Sequence, residues 1–228
     1  MKSKKSLSHV EMMISFSLFV IFLILLFAIF NPLETSSSNE VSLSIIEKWI
    51  NENAEIDVKT STLIIQTASV GDCFSVDKIS EEKVVAFKDE KKIISENSDK
   101  TFLENKGAGV YSLYFSDYFS SGNFDEDCVA LSDGEYSFGV TKDEKFLLVS
   151  KVEKLEENYY SDYESLKKEI GISGNDFEFI LQEINGKKII NATMNEPSGV
   201  NIYSENINVE VIDENANIKN LILNLKIW

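Results

Sequence analysis

The sequence predicts an α+β protein: a long N-terminal transmembrane helix, then a β-rich ectodomain of antiparallel-sheet or sandwich-like build with one or two short helices. Three observations predict it. Residues 12–30, MMISFSLFVIFLILLFAIF, run nineteen positions without a charge. The last eight residues alternate, with Leu221, Leu223, Leu225 and Ile227 on one face and Ile222, Asn224, Lys226 and Trp228 on the other. Between these ends lie short β-branched and aromatic runs, two of them joined by Asn185-Gly186, the strongest hairpin turn signal in the chain.

Nineteen helical residues rise about 28 Å, close to the ~30 Å hydrocarbon thickness of a bilayer. Ser15 and Ser17 can return their hydroxyls to the preceding turn and do not spoil a span. Lys2, Lys4 and Lys5 precede the stretch, whereas Asn31, Pro32 and Glu34 follow it. Lysines beside a span favour the cytoplasmic side, so the expectation is an inside N-terminus, a helix over 7–31, and an outer segment beyond it. A lipid bilayer is thus an expected partner.

Glu11 stands at the lip of the apolar run, where a simple anchor gains nothing from a carboxylate. The segment Lys4-Lys5-Ser6-Leu7-Ser8-His9-Val10-Glu11, followed at once by the apolar stretch, resembles the class III signal peptide of type IV prepilins, and the whole is similar to archaeal proteins of that kind. The resemblance covers about thirty residues, with Ser6 where the family usually has glycine. It implies a basic leader of residues 1–6, cleavage by a prepilin peptidase between Ser6 and Leu7, and Glu11 as the fifth mature residue. In the family that glutamate serves subunit assembly. The implied protein is a cell-surface, pilin-like subunit of a filament or its assembly platform, with like subunits as partners. The alternative is an uncleaved signal anchor carrying an extracellular binding or adhesive domain that never polymerises. Asn31-Pro32 breaks the helix and favours that alternative.

Residues 32–56 read as a hinge and an amphipathic helix. Asn39 is its candidate cap, Val41, Ile45 and Trp49 share one face, and Ile46 and Ile50 lie beside them. From 57 to 228 the texture is β. Expected strands are 58–67, a hairpin of 83–87 and 92–95, 110–115, and a second hairpin of 135–141 and 145–152 around Lys142-Asp143-Glu144. A surface helix is expected over 159–171, stopped by Gly171. Two further hairpins are expected at 177–183 with 188–193, and at 200–212 with 218–228. The helical region at 155–175 is the one place for a subdivision.

The formal net charge is −16, and every basic residue is lysine. That balance argues against nucleic acid as a partner. Cys73 and Cys128 are the only cysteines. Beyond the membrane they fit one disulfide, with two buried thiols as the alternative. The sole histidine, His9, precedes the apolar run, so triads and zinc sites are excluded from the outer segment. No phosphate loop or dinucleotide fingerprint appears. No cofactor, metal or enzymatic activity is expected. The acidic loop Asp125-Glu126-Asp127 lacks the spacing of a calcium loop and reads as solvated. Asn191-Ala192-Thr193 is the one candidate N-glycosylation acceptor. Tyr111, Tyr114, Phe115, Tyr118 and Phe119 are candidate core, with an exposed binding patch as the sharper alternative.

Overall fold

The structure, a computed structural model, describes residues 11–23, 38–66, 71–124, 128–172, 174–195 and 197–228. The chain forms two compact units, Met1–Ser42 and Leu43–Trp228.

In the first unit, helix α1 occupies residues 11–23. This corrects the expected transmembrane helix. Thirteen helical residues rise only about 20 Å, well short of a ~30 Å hydrocarbon layer. Among the described residues no helix is long and apolar enough to cross a membrane. The remainder of the apolar stretch, together with Asn31 and Pro32, lies outside the described residues.

Helix α2 (Ser38–Ala54) reaches into the second unit. Its buried stripe is Leu43, Ile46, Ile50 and Ala54, with Trp49 beside it. The spacing of three, four and four is a helical face, one residue round from the expected Val41–Ile45–Trp49 row. Ala54 passes without a loop into strand β1 (Glu55–Ile65).

Strand β1 is the axis of the second unit. Its first half pairs with β10 (Lys142–Leu148), its second half with β9 (Tyr136–Phe138), and its other edge with β7 (Gly109–Phe115). Ile56 and Val58 are buried on one face, whereas Ser61, Leu63 and Ile65 are buried on the other. The strand therefore changes its buried face at Lys59-Thr60, where two half-buried residues break the alternation.

The expected 135–141/145–152 hairpin does not form. Both segments lie against β1 instead, and Lys142-Asp143-Glu144 belongs to β10. The register sets Asp143 opposite Lys59 and Lys145 opposite Asp57, with Lys145 Nζ 2.6 Å from Glu55 Oε1, so opposite charges favour this pairing. Beyond Leu148 the chain turns helical. Val152, Leu155 and Tyr159, at i, i+3 and i+7, are the buried side of α3 (Val149–Ser161). Asp162 ends α3 and caps α4 (Tyr163–Ile170), accepting from the Ser165 N–H at 3.3 Å. Gly171, at φ 87°, closes α4 in the left-handed conformation. One expected helix is thus two.

Strands β3 (Val84–Lys88) and β4 (Lys91–Ile93) form the expected first hairpin, turning at Asp89 and Glu90 with φ of 50° and 63°. Strands β11 (Phe177–Gln182) and β12 (Lys188–Ala192) form the Asn-Gly hairpin, and β13 (Tyr203–Ile212) pairs along its whole length with β14 (Ile218–Ile227). The main sheet runs β12-β11-β14-β13-β10-β1-β7-β3-β4, with β9 off that path. A second sheet, β5 (Ser95–Asn97), β6 (Thr101–Glu104), β2 (Cys73–Val76) and β8 (Val129–Ala130), has no counterpart among the sequence expectations. Its strands have two to four residues, too short to show a period. Two pairings, β10–β13 and β2–β8, are parallel, against the all-antiparallel expectation.

Three cores result. α2, α3 and α4 cover Phe177, Phe179, Leu181, Leu221, Leu223, Leu225 and Ile227 on one face of the sheet. The small sheet covers β1, β3 and β7 through Phe74, Leu103, Tyr111, Leu113 and Phe115. Ile56, Val58, Phe146, Leu148 and Ile212 form the third, around Phe119.

Cys73 and Cys128 are joined by a disulfide spanning 55 positions. It ties the two-residue strand β8 to β2, beside the Phe74–Val129 pair. Loop closure of that size is worth about 4 kcal/mol on the chain-entropy account. Cys73→Ser/Cys128→Ser should lower the unfolding free energy by roughly that amount in chemical denaturation; a change under about 1 kcal/mol contradicts the role given to the bridge.

Candidate functional site

Helix α1 is apolar apart from Glu11, Ser15 and Ser17. Met12, Met13, Ile14, Phe16, Leu18, Phe19, Ile21 and Phe22 are each between 53 and 72 % exposed. Glu11, exposed, stands at the first described position of the helix and is the only charge among its described residues. So apolar a surface cannot remain in water without a cover. Ser6 and Leu7 lie outside the described residues, as does the acidic loop 125–127.

Asn191 lies near the end of β12, half-buried rather than at a free loop tip. Its side chain donates to Thr193 Oγ1 at 3.1 Å and accepts from Lys188 Nζ at 2.8 Å. Its backbone is held from α3: the N–H donates to Glu156 Oε1 at 3.0 Å, and the carbonyl accepts from the Tyr160 hydroxyl at 2.6 Å. The folded strand therefore brings the asparagine and threonine of the acceptor motif into contact.

A second polar group joins α3 and α4 to β11. The Tyr159 hydroxyl donates to the Phe177 carbonyl at 2.7 Å, and the Phe177 N–H donates to the Tyr163 oxygen at 2.9 Å. Lys167, whose side chain is 9 % exposed, places Nζ 2.7 Å from Asp176 Oδ1 and over the Tyr163 ring. Burial pushes both phenols far above their ordinary range. For Tyr159 the neighbouring Tyr163 and Glu178 add to the rise; for Tyr163 the Phe177 N–H opposes it and Asp176 adds to it. This group locks helices to sheet. Sequence reasoning missed it because 145–152 reads as strand, although the spacing Val152–Leu155–Tyr159 was available as a helix signal.

The aromatic run divides between faces. Tyr111, Phe115 and Phe119 are fully buried, Tyr114 packs at the third core, and Tyr118 is exposed with Lys151 Nζ 4.6 Å from its ring centre. No tyrosine platform results. Among the described residues no group of three or more His, Cys, Asp or Glu side chains is placed to hold a metal ion. One surface depression is lined by Ser44, Glu47, Lys48, Asn51, Glu52 and Glu55. Comparison with protein-family models, with curated proteins and with solved structures returns no match.

The two buried phenols give a pH signature. Unfolded tyrosines ionise near pH about 10, whereas Tyr159 and Tyr163 hold their protons beyond it. Their contribution to stability is therefore complete below pH about 10 and is lost as pH climbs from there through the folded values. The denaturation midpoint should fall from pH about 9.5 upward, and Tyr159→Phe should flatten that fall. Equal slopes in wild type and Tyr159→Phe contradict the assignment.

Proposed function

We propose that this chain is a pilin-like structural subunit of the cell surface, displayed on the exported side of the cell membrane. The observation that carries the reading is α1: a helix whose described residues expose methionine, phenylalanine and aliphatic side chains and carry one carboxylate, Glu11. Like helices packed side by side would cover that surface. A positive group of a neighbouring subunit would offset the Glu11 charge. The leader pattern Lys4-Lys5-Ser6-Leu7 supports processing by a prepilin peptidase before Leu7. The disulfide supports an oxidising compartment for the second unit, where Asn191 is the acceptor for a glycan. A non-polymerising display domain is the second reading. It is supported by α2, whose Leu43, Ile46 and Ile50 are buried in the second unit's core.

Mass spectrometry of the protein isolated from its host should find Leu7 as the N-terminal residue, and Glu11→Ala should abolish assembled species while leaving the second unit folded. An N-terminus at Met1 or Lys2, with unchanged assembly of Glu11→Ala, overturns the proposal.

A further inference from the structure

Sheet edges expose rows of N–H and C=O groups, and folded proteins close or blunt them. Here most are closed. The outer edge of β12 is held at Asn191 by Glu156 and Tyr160 from α3. At the opposite end of the main sheet, β4 has three residues, two of them lysine. The small sheet ends in three-residue β5 and two-residue β8.

The exceptions are β13 and the adjoining strand β10, whose residues 142–146 pair with β1 alone. Strand β13 pairs with β14 over ten residues in uninterrupted register, yet it meets β10 only at Leu147–Val211 and Leu148–Ile212. Along residues 203–210 the second edge is open. Among the described residues no backbone hydrogen bond reaches it. The run Tyr-Ser-Glu-Asn-Ile-Asn-Val-Glu contains no proline, no lysine and no bulge. Six of its residues are exposed, and only Ile207 and Val209 are half-buried, against the core beneath α2 and α3.

We propose that this edge is a strand-addition interface whose occupant is the same edge of a second copy, antiparallel about a twofold axis at Ile207. Residues directly opposite in an antiparallel pair project to one face, so their numbers must share parity. Centred on Ile207, the register pairs every residue of 204–210 with another in that run. Ile207 meets Ile207 of the second copy, Asn206 meets Asn208, Glu205 meets Val209, and Ser204 meets Glu210. No glutamate faces a glutamate. On one face Ile207 and Val209 carry the apolar floor across the junction. On the other, the added asparagines continue the row in which Asn224 Nδ2 donates to Ser204 Oγ at 3.0 Å and Asn206 Oδ1 at 2.8 Å. This contact is separate from α1 and stands whether or not the N-terminal reading does.

The test uses the full-length chain with Phe19→Glu as background, which removes α1 packing. Sedimentation velocity should show a dimer, and Ile207→Lys, which sets lysine against lysine, should raise its dissociation constant at least tenfold. Ile207→Cys, whose new thiol has no free cysteine to compete with among the described residues, should cross-link two chains on mild oxidation. In the dimer the alternate amides of 204–210 that point away from β14 should exchange at least tenfold more slowly than in Ile207→Lys. A monomer, a dimer indifferent to Ile207→Lys, or an Ile207→Cys variant whose chains stay unlinked overturns the proposal. So does protection of 204–210 that appears only when a different polypeptide from the host envelope is added, since the edge then takes a foreign strand.

Discussion

Two of the second unit's three cores are built on β1. That strand receives α2 without a loop, carries β10 and β9 in succession on one edge and β7 on the other, and buries opposite faces in its two halves. A strand with a single buried face would support one core. By changing face at Lys59-Thr60, β1 supports two, with Ile56 and Val58 in one and Leu63 and Ile65 in the other. The helices rest on a third, built on the β11–β14–β13 face. The small sheet also depends on β1, because the surface that it covers is the Leu63–Ile65 half.

The elements with strong periods were legible in the sequence. Leu221, Leu223, Leu225 and Ile227 are the buried face of β14, and Asn185-Gly186 turns its hairpin. Elements set by distant partners were not. Lys142-Asp143-Glu144 resembles a turn until Thr60, Lys59 and Val58 are placed opposite it. Cys73 to Val76 is buried at all four positions, so it has no alternation to read. The apolar stretch misled for another reason: hydropathy alone measured its length, and the described helix spans only part of that length. Of the candidate site, Glu11 is singled out by its place at the lip of the apolar run, ahead of any structure. The α3 clasp on Asn191 was hidden by reading that helix's first turn as strand.

The two units differ in kind. The second closes its apolar surface on itself through three cores, a disulfide and a phenol-lined clasp. In the first, α1 leaves its apolar surface open on all sides. In the proposed function the second unit is the part displayed and α1 is the part that packs. The open edge of β13 adds a backbone-directed contact to that side-chain-directed one, and the two differ in chemistry: helix packing has no hydrogen-bond register, whereas strand addition has a fixed one.

Native-state hydrogen exchange along β1 tests the central claim most directly. If one strand couples the cores, the amides of Val58 and Leu63, in its two halves, exchange only through global unfolding and share one free energy and one denaturant dependence. If the Leu63 half opens with the small sheet at distinctly lower free energy while the Val58 half stays closed, β1 is not the common axis and the cores are independent.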